Sequence, residues 1–285
     1  MDYSIYPKNQ KQYTGSEEKI GITINSIDYY VKSQKNSENG LLNNHISEHL
    51  GSSIFNILGE AAQETHLGIY NQRNVVVCMD FNQPNNIFVP FNGVGESSLE
   101  QDKELYKYSY SDIILMLKEN IKITSLEQTI EKFWNMYIID ALIGNFDRHG
   151  ANWGFMKSNN RYNFALIFDN GSSLFPRRNT DDLMQEVLDN EEIIKNMTYT
   201  YPTSQIRLND SKSSYFEVIN SLEFDECNKA LERVYLKIDL ETINNFIDAQ
   251  EVLSKLQKEF YKYIIFYRFE KIIKASYIKL KERKT

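Results

Sequence analysis

The sequence predicts an α+β protein of two lobes: a small, strand-rich amino-terminal lobe over residues 1–82, and a larger, mainly helical lobe over residues 83–285. Three observations predict it. Runs of β-branched and aromatic residues crowd the start of the chain, at 20–24, 29–31, 64–70 and 74–81. A segment with two prolines, two glycines, asparagines and serines follows at 82–104 and reads as a loop or linker. From about residue 109 the apolar spacing is helical nearly to the end, with strand content only around 147–171.

Taken in order, Thr14-Gly15-Ser16-Glu17-Glu18-Lys19 is a polar turn with one glycine. Ile20 to Ile24 and Tyr29 to Val31 read as strands, with Lys32 following. Residues 35–44 are polar and break the pattern. Ile46, Leu50, Ile54 and Leu58 then make the apolar stripe of a helix, with Glu48 off that stripe. Val75-Val76-Val77 is wholly apolar and predicts a central strand. Cys78-Met79-Asp80 is placed as a hinge between the lobes.

Ile130, Phe133, Trp134, Tyr137, Ile138, Ala141 and Leu142 predict a helix with one buried face. Capping-box spacings at Thr124/Glu127 and Ser125/Gln128 start it near residue 126, and Gly144 suits the left-handed position that ends it. Tyr162 to Phe168 reads as a strand ending at Asp169. Residues 177–215 are polar and resist assignment, but Pro202 excludes a helix interior there. A long helix broken once is expected over about 250–280, and its basic end suits a helix C-terminus.

Composition excludes several classes. A net charge of −7 argues against a general nucleic-acid binder. Two cysteines, Cys78 and Cys227, are too few for a disulfide framework or a zinc site. The histidine pair His45 and His49 lacks the glutamate of a zinc-protease helix. No apolar run is long enough for a signal peptide or a transmembrane span. The expectation is a cytoplasmic protein of the producing cell, with leaderless export and action in a host left open. Oligomeric state is left open as well.

The stretch from Gly144 to Gly154, with Phe168-Asp169-Asn170-Gly171, carries the chemistry. It sets an acid, Asp147, an amide five residues on, Asn152, and a second acid, Asp169. Phosphoryl transfer from a nucleotide needs such a set: one carboxylate takes the proton of the attacking hydroxyl, while an amide oxygen and a second carboxylate hold magnesium. Asp147 is therefore the candidate acid/base, and Asn152 and Asp169 are the candidate metal ligands. The 14–19 turn would be a flap over the phosphates, with Lys32 reaching them. Cys78 and Asp80 would meet adenine through main-chain groups. Each has an ordinary alternative: a hairpin ending in an exposed lysine, a solvated Glu48, a buried thiol.

The same residues resemble the HipA-like Ser/Thr kinases, in particular compact bacterial members. The catalytic loop also looks like that of phosphoinositide lipid kinases. Besides Asp147-Arg148-His149-x-x-Asn152 and Ile167-Phe168-Asp169, the match includes Ser47-Glu48 and Gln63-Glu64-Thr65, and it runs from about residue 14 to about 250. The resemblance implies a two-lobed protein-kinase-like fold, ATP with Mg2+, and phosphorylation of protein substrates and of the kinase itself. It implies Lys32 as phosphate-binding lysine, Glu48 as its helix partner, and Gly15, Ser16 and Lys19 in the phosphate loop. His149 would pack the loop structurally. The self-phosphorylated serine of HipA has no counterpart; Thr14 and Ser16 are the nearby hydroxyls. Asn170 stands where ordinary kinases carry the Phe of Asp-Phe-Gly, so switching by a flipping phenylalanine is not expected. A HipB-type partnership is doubtful, since no extended subdomain for it is evident. Two alternatives stand beside a protein kinase: a lipid or small-molecule kinase, and a nucleotide-binding effector that signals by surface contact.

Overall fold

In the computed structural model, residues 1–13, 18–38, 40–82, 84–94, 110–208 and 211–284 are described. Three hairpins turn on pairs of polar residues with positive φ: Asn25-Ser26, Asn71-Gln72 and Asn159-Asn160. Two left-handed residues in succession match the twist of the flanking strands, and Asn tolerates that region better than most side chains.

The first two hairpins make one sheet. Strands β1 (Lys19–Ile24) and β2 (Ile27–Ser33) pair antiparallel, and a two-residue ribbon of β3 (Asn36–Ser37) and β4 (Gly40–Leu41) follows. Helix α1 (Asn44–Ile57) crosses to β5 (Thr65–Tyr70) and β6 (Arg73–Met79), giving an antiparallel order β1-β2-β6-β5. Val75-Val76-Val77 lies on β6, a central strand. Residues 1–13 run along the sheet, bridging at Asp2 to Ile69 and at Lys8 to Ile22.

The 82–104 segment is not all loop. Strand β7 (Ile87–Pro90) pairs with β8 (Gly154–Ser158), which pairs with β9 (Arg161–Phe164). The short turn α2 (Phe91–Val94) follows β7, and residues 95–109 lie outside the described residues. The strand expected to run to Phe168 ends at Phe164; beyond it Ile167 makes a single parallel bridge to Ala62.

Helices α3 (Tyr110–Glu119) and α4 (Leu126–Ile143) begin the large lobe. Ser125 caps α4 by accepting from the Gln128 N–H, and Gly144 ends it in the left-handed conformation. The expectation of one buried face understates this helix. Every residue from Phe133 to Ile143 is buried, so α4 is the central rod of the lobe.

Around α4 stand α5 (Asp181–Asp189), α6 (Glu191–Lys195), a π turn at Asn196–Thr200, the hairpin β10 (Thr203–Leu208) and β11 (Ser211–Ser214), and α7 (Tyr215–Ser221). Pro202 sits between the π turn and β10. Helices α8 (Asp225–Lys237), α9 (Leu240–Asp248), α10 (Lys255–Arg268) and α11 (Ala275–Lys284) complete the chain, with a π turn at Phe269–Lys274 joining the last two. That turn is the single break expected in the 250–280 pattern. Among the described residues no helix is long and apolar enough to cross a membrane.

One feature positions the site above others. The stripe Ile46, Leu50, Ile54, Phe55 and Leu58 of α1 joins the main core together with Trp134, Ile138, Leu231 and Ile264. Full burial of each such side chain is worth about 1.5–3 kcal/mol. Helix α1 thus packs into the helical lobe while also facing the sheet.

Candidate active site

A cleft of about 620 Å³ runs between sheet and helical lobe. Lys19, Lys32, Lys35, Asp80, Asp147, His149, Asn152 and Asp169 all line it. On its sheet side Lys32, at the end of β2, is almost fully buried. Its Nζ donates to Glu48 Oε2 at 2.8 Å and to Asp169 Oδ1 at 2.9 Å. Burial opposes the charge on Lys32, but Asp169 and Glu48 outweigh it and raise the pKa well above the ordinary lysine value. Burial likewise works against the Asp169 carboxylate, and Lys32 overcomes it, lowering the pKa to about 2. Both groups are therefore charged across the physiological range. Glu48, off the apolar stripe, is buried rather than solvated. The stripe turns it inward, toward the sheet.

The loop after α4 is held from below. Asp140, fully buried in the last turn of α4, accepts from Arg148 Nε at 2.9 Å and Nη2 at 3.0 Å. Arg148 Nη1 donates to the Asn152 carbonyl at 2.9 Å and also to the Phe168 carbonyl; Nη2 further donates to Asn170 Oδ1. One guanidinium so ties the two loops that carry the candidate catalytic groups. Asn145 Nδ2 donates to Asp140 Oδ1 at 3.1 Å, and the Asp147 N–H returns to Asn145 Oδ1 at 3.0 Å. Asp147 itself is half exposed. Its pKa is raised by partial burial and by Asp169, against the lowering pull of His149, Lys35 and Arg148.

Asn170 completes the frame. Its N–H donates to Glu48 Oε1 at 2.9 Å, and its Nδ2 donates to Ser52 Oγ at 2.9 Å. The residue in the place of a kinase phenylalanine therefore fastens the Asp169 loop to α1. The approach is close enough to require a glycine on the helix: a Cβ at Gly51 would lie 2.8 Å from Asn170 Cβ and 2.9 Å from Ser173 Oγ.

The structure brings Lys32, Glu48, Asp147, Asn152 and Asp169 to one place, with Lys19 in the cleft and its ammonium 5.4 Å from the Tyr30 ring centre. Gly15 and Ser16, like Thr14, lie outside the described residues. The hinge reading does not suit Cys78 or Asp80. Cys78 is fully buried in the middle of the sheet, paired with Tyr30 on one side and Thr65 on the other, so its main chain is spent on the ladder. The Asp80 N–H is taken by the Asp28 carbonyl at 2.8 Å. Its carboxylate receives Lys11 at 2.9 Å and Tyr13 at 3.3 Å, so Asp80 staples residues 1–13 to the cleft wall. His149 does more than pack the loop. Its Nδ1 accepts from the Ala151 N–H at 3.1 Å, and its Nε2 faces Asp147 Oδ1 at 3.8 Å in the cleft.

Sequence reasoning missed the Arg148 clamp and the aromatic wall. Phe81, Phe88 and Phe168 pack edge to face or tilted, with ring centres 4.8–6.0 Å apart, and all three line the cleft beside Pro90. An apolar wall of this kind suits a flat ring. Phe88 escaped notice because its strand was read as linker.

The donor set fits magnesium. Asn152 Nδ2 donates to the Asp147 carbonyl at 2.7 Å, which leaves Oδ1 as the acceptor for a cation, near the Asp169 carboxylate. Hard oxygen donors suit Mg2+, which keeps waters and phosphate oxygens for its other positions. Among the described residues no group of three His, Cys, Asp or Glu side chains forms a metal cage, as expected of a site shared with a nucleotide.

Fold and site together define a phosphotransferase of the protein-kinase type. The chain belongs to the HipA-like family of Ser/Thr kinases: the HipA-like C-terminal domain matches residues 15–259. It is similar to the serine/threonine-protein kinase CtkA of Helicobacter pylori strain J99, with 32% identity over 288 residues, covering 97% of this chain and 87% of that one. The crystal structure of the H. pylori proinflammatory kinase CtkA matches with a TM-score of 0.91 at 31% identity over 99% of both chains. HipA of Shewanella oneidensis MR-1, solved with HipB and operator DNA, matches at 14% identity with a TM-score of 0.58. The match covers 96% of this chain and 66% of that one, a likeness of fold alone.

Proposed function

We propose that the protein is an ATP- and Mg2+-dependent Ser/Thr protein kinase that also phosphorylates itself. The observation that carries this reading is the meeting of the Lys32–Glu48–Asp169 ion cluster with Asp147 and Asn152 in one cleft. A protein that only bound a nucleotide would have no use for Asp147.

In this reading Lys32, kept charged by Glu48, binds the nucleotide phosphates. Asn152 and Asp169 hold Mg2+, which supplies charge neutralisation on those phosphates. The Phe81–Phe88–Phe168 wall takes the adenine. Asp147 accepts the proton of the acceptor hydroxyl, whose oxygen forms the new bond to the γ-phosphorus as the bond to the departing ADP oxygen breaks. Arg148 contributes by holding the Asp147 and Asp169 loops at a constant separation. Because Asp147 works as the carboxylate and its pKa is raised, turnover falls on acidification at a pH above the ordinary aspartate range.

Intact mass of the purified protein before and after incubation with Mg-ATP tests the reading, with Asp147→Ala alongside. A gain of about 80 Da per phosphate only in the parent protein is the expected result. Transfer to phosphoinositides and to no protein would instead favour a lipid kinase.

A further inference from the structure

Beyond Asp147, on the side away from Lys32, lies a surface that nucleotide binding does not use. We propose that Arg177, Tyr201 and Phe146, with Lys35 across the cleft, dock an acceptor segment that carries a carboxylate beside its Ser or Thr. This rests on the protein-kinase reading and names the substrate class that the same site selects.

The segment that presents Arg177 is short and tightly held. Between Asp169 and Thr180, the N-cap of α5, Ser173 Oγ donates to the Asn170 carbonyl at 2.7 Å. The Leu174 N–H donates to the Ile143 carbonyl at 2.8 Å, and the Pro176 carbonyl accepts from the Asn43 N–H at 3.0 Å. Leu174 and Phe175 adopt φ of 54° and 55°, a costly conformation for bulky side chains that only dense surroundings maintain. The backbone at Arg177 is therefore fixed relative to the catalytic loop, and the two segments are joined directly by the Phe146 N–H donating to the Ser172 carbonyl at 3.3 Å.

On this base the side chains form a shelf. The Tyr201 ring packs 5.9 Å from Phe146 and 6.1 Å from Phe175 and remains 40% exposed. Phe146 directly precedes Asp147. Arg177 and Asp147 are the two charges that act on the Tyr201 hydroxyl, which places all three in one neighbourhood. Across the cleft Lys35 acts on Asp147, its main chain held by Asn44 Oδ1 at 2.9 Å and by the Leu42 N–H at 2.8 Å.

Charge decides the occupant. Of the carboxylates lining the cleft, Asp80 is paired with Lys11 and Asp169 with Lys32. Arg178 is paired with Glu186 at 2.8 Å, whereas exposed Arg177 has no ion pair among the described residues. A chain with net charge −7 thus turns a local excess of cations toward the point where an acceptor hydroxyl must approach Asp147. An acidic segment gains there, and a basic one meets like charge. The shelf takes the segment's apolar atoms, and the Tyr201 O–H, kept protonated by its raised pKa, can donate to it.

The test uses three peptides with a single Ser flanked by Asp, Ala or Lys, assayed with the full chain and its Arg177→Glu, Arg177→Ala and Arg177→Lys variants. The parent should favour the Asp over the Lys peptide by about tenfold or more in kcat/KM, chiefly through KM. Arg177→Glu should erase or invert that ratio with the KM for Mg-ATP unchanged, and Arg177→Lys should keep most of it. A ratio unchanged in Arg177→Glu, or a parent indifferent to the flanks or favouring Lys, overturns the docking inference while leaving the kinase reading intact. No transfer to any peptide or to the protein itself overturns both.

Discussion

The four-stranded sheet and the helical lobe are built on different scales. The sheet is one layer with a thin apolar cover: Tyr3, Ile22, Tyr29, Val31, Tyr70, Val75 and Val77 on one side, Tyr30, Val76 and Cys78 on the other. The helical lobe has a single continuous core that reaches from α1 to α11. Of the five side chains assembled at the site, only Lys32 comes from the sheet. Glu48, Asp147, Asn152 and Asp169 are carried by, or fastened to, elements of the larger core. Groups that must keep an angstrom-scale relation to one another sit on the part that deforms least. The group that only has to deliver a charge sits on the part that can give.

That contrast can be broken or sharpened by experiment. The largest effect is expected at Asp147. Asp147→Ala should lower turnover by about 10²–10⁴-fold in a phosphoryl-transfer assay, while thermal melting stays close to the parent because the side chain is half exposed. Next comes the clamp. Arg148→Ala leaves Asp140 buried and unpaired, so urea unfolding should show a loss of about 3–5 kcal/mol. On the sheet, Lys11→Ala removes a lysine that is nearly half exposed and should cost at most about 1 kcal/mol.

At the junction of the two parts, His45 on α1 is buried with Nδ1 unpartnered, and burial lowers its pKa to about 4. Unfolded chains bind that proton near pH 6.5, so the stability from keeping His45 neutral is present above 6.5 and is lost as pH falls toward 4. The loss should reach about 3 kcal/mol, and His45→Phe should flatten that part of a stability-versus-pH curve. Asp169 contributes nothing in that window; its stabilisation is lost only between the ordinary aspartate range and about pH 2.

Smaller still is a difference in ligand affinity. Asp169→Asn should weaken Mg-ATP binding by about tenfold in a calorimetric titration, and Asp147→Asn should weaken it less, since Asp147 serves the acceptor rather than the metal. Equal affinities would contradict that division of roles. Last, Ser125→Ala removes the α4 cap at a cost of about 1 kcal/mol, with turnover expected to stay within about twofold.

Local signals carried most of the fold into view. Helix α1, the start and stop of α4, and the strands of the sheet were legible because each is set by periodicity or by a cap within a few residues. The spacing of Asp147, Asn152 and Asp169 was legible for a similar reason, since one loop and one hairpin carry all three. What escaped depends on partners far along the chain. Strand β7 is four residues long and acquires its identity only by pairing with β8, more than sixty residues later. The Arg148 clamp reads as an ordinary charged residue until Asp140, Phe168 and Asn170 converge on it. Asp80 looked available for adenine because nothing nearby in sequence announces Lys11, Tyr13 or the Asp28 carbonyl. The full burial of α4 follows from neighbours on every side, which a moment computed along one helix does not contain.

The fastening of Asn170 and Glu48 to α1 has an outcome at the scale of the cell. A helix whose stripe is part of the main core, and whose Gly51 touches the Asp169 loop, has no parked position to swing into without opening that core. An enzyme assembled in this way is switched on by being made. Its output follows how much of it is synthesised, how long it lasts and what it meets, so restraint belongs to expression, proteolysis and placement rather than to a toggle inside the fold.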